Sequence, residues 1–239
     1  MGVHIPSLRG DLSIRDMIAI GRFNKQFKGL HPYYFKPDGI VIFTGPQGSG
    51  KTLSAVKYVR NILQAFPNCK VISNIKLTGI DTYEFIGFVE SLDKYPSNGE
   101  YGVIFLIDEI QTEFSSLESK NISPSELAAI SQQRKRRIHI VGTAQLWTRV
   151  AKPFREQTCA AIDCDSILGG RIQRNRMIDF NRCAYDLQGN LTALAYSRQF
   201  WWTRSPDDYA AYDTTAVIKR FKDREEDKKG GRLVHADAS

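Results

Sequence analysis

Short apolar runs and longer stretches of helical spacing alternate along most of this chain. The apolar runs predict buried strands, and they lie at 39–44, 70–75, 103–107, 137–142 and 159–164. Between them, apolar residues recur every three or four positions, which predicts helices packed against those strands. Strands and helices in alternation are typical of an α/β fold with a mostly parallel central sheet covered on both faces.

Three helices are predicted between these strands, and two of them begin with capping signals. The first covers 52–66. The second would run from Asp81 to about residue 92, because Asp81 and Glu84 match a capping box. The third would run from Ser123 to about residue 136, since Ser123 and Glu126 form another capping box with a proline between them.

Both ends of the chain depart from this pattern. Residues 1–38 are predicted to be a lead-in, in which 12–30 form an amphipathic helix that packs on the core and ends at His31-Pro32. Residues 39–221 are predicted to form one domain, extended by a C-terminal antiparallel hairpin of segments 177–187 and 191–201, joined at 188–190. The polar residues 222–239 are expected to be a disordered tail.

A phosphate-binding motif joins the first strand to the first helix. It consists of Gly45, Pro46, Gln47, Gly48, Ser49, Gly50, Lys51 and Thr52, which match the Walker A pattern GxxxxGK[ST]. Its glycines let backbone N–H groups turn inward around a β-phosphate. Lys51 would reach the β- and γ-phosphate oxygens, and Thr52 would offer a hydroxyl ligand to Mg²⁺.

The third strand ends in two acids, Asp108 and Glu109. Asp108 has the position of a Walker B carboxylate that holds Mg²⁺, and Glu109 can polarise the attacking water. The adjacent pair favours hydrolysis of ATP with a built-in base over a GTPase switch, and no NKxD guanine motif is present. The alternative is a solvated strand end without a catalytic role.

A polar residue at the end of the fourth strand would point between the loop and the acids. Thr143 and Gln145 are the candidates for contacting the γ-phosphate or the lytic water, and Gln145 is preferred. The alternative is a polar residue that only caps the strand.

Together these three motifs resemble the FtsK–HerA class of P-loop ATPases. Segments 73–77, 107–111 and 133–137 look like the zonular occludens toxin (Zot) domain, which occurs in assembly ATPases of filamentous phages. The resemblance covers residues 40–165, and it implies a three-layer P-loop NTPase fold of the RecA-like (ASCE) kind with ATP and Mg²⁺ as cofactors.

The filamentous-phage members of this family carry a transmembrane helix after the ATPase region. The longest apolar run here is 103–107, far short of the ~20 residues of a membrane span, and the first residues lack an apolar signal-peptide core. The resemblance therefore points to soluble relatives, the genome-packaging ATPases of viruses with internal membranes, which act as ring oligomers that thread DNA. We expect a protein of the host cytoplasm, with association with the virion left open.

Ring ATPases place an arginine of one subunit against the γ-phosphate that its neighbour binds. In the segment 146–157, Arg155 is the first candidate for this role and Arg149 the second. The alternative for each is a plain surface arginine.

Charge adds a candidate nucleic-acid surface. The chain has 33 Lys and Arg against 26 Asp and Glu, and the whole surplus of +7 lies in 131–182. Two clusters could bind the backbone of a nucleic acid, DNA rather than RNA; they are Arg134, Lys135, Arg136 and Arg137, and Arg171, Arg174 and Arg176. Cations at a helix C-terminus also stabilise by ~0.3–1 kcal/mol each, which is a structural alternative for the first cluster. Arg198 and Arg204 flank an aromatic run at 200–202 that either stacks on bases or packs in the core or a subunit interface.

The sequence leaves three functions open. The first is a DNA-translocating ATPase of virus or phage assembly, with genome packaging into a capsid preferred. The second is Zot-like assembly and extrusion together with a membrane-anchored partner. The third is a nucleotide-dependent switch or a small-molecule kinase, with 112–121 as its lid. The implied partners are DNA, further copies of the chain in a ring, and a capsid or membrane-bound assembly partner.

Overall fold

An eight-stranded sheet forms the centre of the computed structural model, which describes residues 13–95, 97–117, 122–186 and 191–213. The strands are β1 (Ile40–Thr44), β2 (Lys70–Ser73), β3 (Thr82–Glu84), β4 (Val103–Ile107), β5 (Ile138–Ala144), β6 (Thr158–Ile167), β7 (Ile172–Ile178), β8 (Ala184–Tyr185), β9 (Leu191–Ala193) and β10 (Tyr196–Thr203). The helices are α1 (Ile14–Leu30), α2 (Lys51–Ala65), α3 (Phe88–Lys94), α4 (Ile110–Glu113), α5 (Pro124–Ser131), α6 (Lys152–Glu156) and α7 (Pro206–Tyr209).

The strand order is β10-β7-β6-β1-β5-β4-β2-β3, and the six strands from β6 to β3 in that order run parallel. β1 illustrates why its sequence is apolar throughout. Ile40 and Ile42 pack on one face with Phe88 of α3, whereas Val41 packs on the other face with Val56 of α2. The sheet is therefore the middle of three layers, and the predicted fold class is confirmed.

One predicted helix start is wrong. Thr82–Glu84 is strand β3, paired in parallel with β2, and no helix begins at Asp81. Helix α3 starts only at Phe88, after Gly87, whose φ of 101° suits glycine alone. The Asp81–Glu84 spacing matched a capping box, but the β-branched and aromatic residues between them favoured a strand.

The second capping box is confirmed. Ser123 Oγ accepts a bond from Glu126 N (3.2 Å), and Glu126 Oε2 accepts one from Ser123 N (2.7 Å). Helix α5 ends at Ser131, however, well before the predicted end at about 136. Residues 132–137 form turns, and Arg137 has a left-handed φ of 53° immediately before β5 begins. The basic run at 134–137 is thus a loop and not the last turn of a helix.

The predicted antiparallel extension is confirmed, and its two segments pair with each other. Within 177–187, Met177 and Ile178 end β7 and pair with β10, and β8 pairs with β9. The prediction omitted the rest of β7, which lies between β6 and β10. Most of β7 was not predicted as a strand, because two of its buried positions hold polar residues, Gln173 and Asn175. The predicted turn at 188–190 and the predicted tail at 222–239 lie outside the described residues.

Helix α1 stands apart from the core. Its predicted packing is wrong, because none of its residues is buried and Met17 and Phe23 are 66% and 63% exposed. Helical periodicity shows that one face is apolar, but it does not say what covers that face. The C-terminal end of α1 contacts the domain through the rings of Phe27 and Tyr34, whose centroids are 4.9 Å apart. Within the described ranges, no helix combines the length and apolarity that a membrane crossing requires.

Candidate nucleotide site

The phosphate loop connects the end of β1 to the first residue of α2. Two glycines are required there by close contacts. A Cβ on Gly45 (φ 142°) would lie too close to the carbonyl oxygen of Cys164, and one on Gly50 (φ 84°) would collide with Gln173 and Arg204. Lys51 Nζ donates to the carbonyl of Pro46 (3.2 Å) across the loop. The first turn of α2 therefore presents free N–H groups and a cation to the same point, an arrangement that suits a phosphate.

A buried carboxylate lies beside this turn. Asp108 Oδ1 accepts hydrogen bonds from the hydroxyls of Thr52 (2.7 Å) and Thr143 (2.6 Å). Asn74 fixes the backbone of the acid from both sides, since its Nδ2 donates to Asp108 O and its Oδ1 accepts from Asp108 N, each at 2.8 Å. Burial raises the pKa of Asp108 above its ordinary value, and the two hydroxyl donors oppose that shift.

The same pair of oxygens suits a magnesium ion. Mg²⁺ takes oxygen ligands and is held by one or two protein groups together with substrate phosphates and water. Thr52 Oγ1 and Asp108 Oδ1 are adjacent oxygens next to the phosphate loop. Elsewhere in the described ranges, no group of three or more His, Cys, Asp or Glu side chains could hold a metal. Thr52 and Asp108 are thus the residues that would hold the ion, and it would supply positive charge opposite the developing phosphate charge.

Glu109 follows in a strained backbone conformation. Its φ of 51° and ψ of 52° lie in the left-handed region, where a residue other than glycine is uncommon and is often functional. Its backbone N–H donates to Thr143 Oγ1 (2.9 Å), and its carboxylate accepts from Gln145 Nε2 (3.5 Å). Arg149 Nη1 in turn donates to Gln145 Oε1 (3.2 Å). The conformation turns Glu109 out of the strand and towards the open cavity.

That cavity has a volume of about 420 Å³. Its lining comprises Gln47, Gly48, Gly50, Lys51, Thr52, Leu53, Asp108, Glu109, Arg204, Tyr209 and Tyr212. The sheet order explains why loop and acids meet here: β5 lies between β1 and β4, and the carboxyl ends of these parallel strands share one edge. We call it the carboxyl edge. It brings together the predicted residues Lys51, Thr52, Asp108, Glu109 and Gln145.

Sequence reasoning named Thr143 only as the second candidate of its strand and missed the position of Arg204. Thr143 is fully buried and bonds both to Asp108 and to the Glu109 backbone, although Gln145 was the preferred residue of that strand. Arg204, which the sequence placed only beside the aromatic run at 200–202, lines the cavity together with Tyr209. No local signal could have found Arg204, because it lies more than 150 residues from its hydrogen-bond acceptor Ser49.

The two arginines predicted to contact the nucleotide of a neighbouring subunit lie in different places. Arg149 lies beside its own site, where it bonds to Gln145. Arg155 lies on α6, and its buried Nε has no hydrogen-bond partner in the part of the chain that the structure describes. The role itself stays a prediction.

The first basic cluster lies at the opposite edge of the sheet. β2, β4 and β5 begin there, and their first residues line a cavity of about 360 Å³ together with Lys135 and Arg136. We call this the amino edge. Arg134, Lys135 and Arg136 are exposed and have no ion-pair partner among the described residues. Arg137 is different, because it donates to Tyr34 Oη (3.0 Å) and to the Gly99 carbonyl (2.9 Å).

The second basic cluster is mostly engaged within the sheet. Arg174 forms an ion pair with Asp165, and Arg176 pairs with Asp163 at 2.6 Å. Arg176 also lies over the ring of Tyr196, 4.2 Å from its centroid. Arg171 is exposed at the β6–β7 turn, at the carboxyl edge. The two predicted clusters thus lie at different edges. Three of the seven residues named for nucleic acid, Arg137, Arg174 and Arg176, have partners within the domain.

Comparison with known proteins gives the fold. No family model and no curated protein matches the chain. Its structure is similar to the N-terminal domain of zonular occludens toxin from Neisseria meningitidis, with a TM-score of 0.52 and 20% identity over 73% of this chain and 98% of that one. It is also similar to the genome packaging NTPase B204 from Sulfolobus turreted icosahedral virus 2 in complex with ATP-gammaS, with a TM-score of 0.44 and 15% identity over 67% and 98%. The second similarity carries no further conclusion. The chain therefore has the three-layer α/β fold of that domain, the fold class that its motifs predicted.

Proposed function

We propose that this protein hydrolyses ATP with Mg²⁺ and uses the reaction to move DNA during virus or phage assembly, in the packaging of a genome into a capsid. The observation that carries the proposal is the arrangement around Asp108. One carboxylate bonds to the hydroxyl of the phosphate loop and to Thr143, while the next residue, Glu109, faces the same cavity. Few structural roles require two adjacent acids at the mouth of a phosphate loop.

Each residue has a role in this proposal. The loop N–H groups and Lys51 hold the β- and γ-phosphates, and Thr52 and Asp108 hold the metal ion. Glu109 takes a proton from the attacking water, and Gln145, 3.5 Å from that carboxylate, orients the water or senses the γ-phosphate. Thr143 keeps the two acids in a fixed relation, since its hydroxyl bonds to both residues.

Movement of DNA is supported by the exposed cations of the amino edge and by the sequence resemblance to the FtsK–HerA class. Arg134, Lys135 and Arg136 offer three unpaired positive charges on one loop, which suits contact with a phosphate backbone without sequence preference. We further propose that the chain assembles into a ring in which Arg155 reaches a neighbour's nucleotide.

ATP turnover measured with and without DNA tests the proposal. We propose that the protein is cytoplasmic, and the assay therefore contains no membranes. We expect it to release phosphate from ATP when magnesium is present, and duplex or single-stranded DNA should accelerate this release. Lys51→Ala should abolish both nucleotide binding and turnover. Turnover that neither form of DNA changes would remove the motor part of the proposal and leave an ATPase. A phosphorylated small molecule as product would replace it with a kinase.

A second candidate function is extrusion together with a membrane-anchored partner. The exposed apolar side chains of α1, such as Met17 and Phe23, favour it because they offer a surface to a partner outside the ATPase domain. Co-fractionation with membranes only when such a partner is co-expressed would support it. Unchanged fractionation after deletion of α1 would count against it.

A further inference from the structure

Arg204 directly follows β10, and its side chain lies beside the phosphate loop. Its backbone N donates to Arg171 O (2.9 Å), which fixes it at the turn between β6 and β7. Its guanidinium donates to three groups: Ser49 O (3.3 Å), Gln173 Oε1 (3.0 Å) and Tyr209 Oη (3.1 Å). The side chain therefore lies on the wall of the cavity that also contains Lys51.

A buried polar chain holds Arg204 in this position. Gln173 is fully buried, and its Nε2 donates to Ser49 O (3.0 Å) and to Asn175 Oδ1 (2.8 Å). Ser54 of α2 donates to the same oxygen of Asn175 (3.1 Å). Because these side chains are satisfied by one another, the guanidinium has a defined place relative to both the loop and α2.

The guanidinium lies directly over Gly50. A Cβ at that position would collide with Arg204 Nη2 and with Gln173 Oε1, so only hydrogen separates the guanidinium from the loop backbone. Gly50 immediately precedes Lys51, the first residue of α2. A phosphate bound by the N–H groups of this segment is consequently within reach of Arg204.

The partners of Arg204 are all uncharged. Among the described residues, no carboxylate lies at ion-pair distance from it, whereas Arg174 and Arg176 on the neighbouring strand are each paired with an aspartate. A carbonyl, an amide and a hydroxyl are weaker acceptors for a guanidinium than a phosphate oxygen. An arginine without a counter-charge beside a phosphate loop is poised to exchange a neutral acceptor for a phosphate.

We propose that Arg204 binds the β-phosphate of the nucleotide within its own subunit, giving up its bond to the Ser49 carbonyl for a phosphate oxygen. This proposal rests on the proposed binding of ATP. It is distinct from the role of Arg155, which would act on the γ-phosphate of a neighbouring subunit. It makes the antiparallel extension part of the nucleotide site.

Dissociation constants for ATP, ADP and AMP, measured by competition against a fluorescent ATP analogue, test the assignment. For Arg204→Ala we expect ATP and ADP to bind about 10- to 100-fold more weakly and AMP to change little, because one charge-assisted bond to the β-phosphate is removed. Arg204→Lys should retain part of the preference for ADP over AMP. Arg198→Ala, which removes an exposed arginine from β10, the strand before Arg204, is the matched control and should behave as wild type.

Four outcomes would overturn the assignment. Unchanged affinities in Arg204→Ala would do so. A loss of affinity for ATP alone would also do so, because it would indicate a contact with the γ-phosphate. Equal losses of affinity for all three nucleotides would indicate a structural role. So would an Arg204→Lys variant that thermal unfolding shows to be folded but that does not prefer ADP over AMP. Failure of the proposed ATP binding, on which the assignment rests, is separate: wild-type protein would then bind none of the nucleotides, and Lys51→Ala would make no difference.

Discussion

The two edges of the parallel sheet are built from the same strands but differ in chemistry. At the carboxyl edge, Asp108 and Thr143 are buried and bonded to each other. At the amino edge, Arg134, Lys135 and Arg136 extend from turns into solvent. Polar groups are therefore pre-organised at one edge and solvated at the other, which suits chemistry on a small ligand in the first case and contact with a long polyanion in the second.

The strands themselves separate these two tasks. β4 and β5 are buried along their whole length, so they form a rigid connection between the edges. A substitution at one edge should therefore change the binding or the chemistry of that edge and leave the structure of the other edge in place. The following predictions test that separation, starting with the largest effect.

Loss of the carboxylate of Glu109 should have the largest effect. Glu109→Gln should reduce ATP turnover by about 10²- to 10⁴-fold while ATP and DNA still bind, because only proton transfer from water is lost. Single-turnover hydrolysis and equilibrium binding would measure the two properties. Glu156→Gln, at an exposed carboxylate on α6, is the control and should retain wild-type turnover. Turnover within a few-fold of wild type in Glu109→Gln would remove its assignment as the base.

Removing the three cations of the amino edge should weaken DNA binding and spare the chemistry. For the combined variant Arg134→Ala, Lys135→Ala and Arg136→Ala, we expect affinity to fall by about tenfold or more. The slope of log affinity against log salt should fall by about one for every DNA phosphate that the variant no longer neutralises. Fluorescence anisotropy over a salt series measures this, and turnover without DNA should not change.

The control for this variant is a matched loss of charge on α1. Alanine at Arg15, Arg22 and Lys25 also removes three exposed cations, but from the part of α1 that precedes Phe27, whose ring contacts Tyr34. The salt slope should then stay at its wild-type value. Equal slopes for both triple variants would mean that total charge, and not the amino edge, binds the DNA.

Hydroxyl groups at the two edges should contribute unequally to stability. Thr143→Val removes a donor to Asp108 and leaves the Glu109 N–H without its acceptor, so we expect a loss of about 1–3 kcal/mol in the free energy of unfolding. Thr158→Val at the start of β6 removes one bond to the Phe154 carbonyl and should cost about 0.5–1.5 kcal/mol. Urea unfolding compares them, and a larger loss at Thr158 would contradict the contrast.

The smallest effect is expected from pH. His139, near the start of β5, is buried and bonds to Tyr58 Oη (3.1 Å), and burial lowers the pKa of the imidazole. The unfolded chain takes up this proton below about pH 6.5 whereas the folded chain resists it, so stability should fall as the pH drops through that range. The limit is about 1.4 kcal/mol per pH unit. His139→Gln should reduce the dependence of the free energy of unfolding on pH, measured by urea unfolding between pH 7 and 5. An unchanged pH dependence would show that other groups cause it.

Much of the carboxyl edge could be predicted from sequence because its motifs are local. The phosphate loop and the pair Asp108-Glu109 are continuous segments, and the strand before each is an apolar run. The buried chain of Gln173 and Asn175 could not be predicted, because polar residues in β7 resemble a solvated segment until their distant partners are known. Likewise, α1 shows its apolar face in the sequence, but only tertiary contacts could show that the described domain leaves it uncovered.

The bonds from Gln173 and Arg204 to Ser49 also bear on how the protein is made. They join residues 124 and 155 positions apart, so the phosphate loop emerges from the ribosome long before the side chains that hold it. Contacts of such long sequence separation form late in folding. A nascent chain that stops before β7 would carry the complete motif with nothing over Gly50, and nucleotide would stabilise the chain fully only once the final strands have been synthesised.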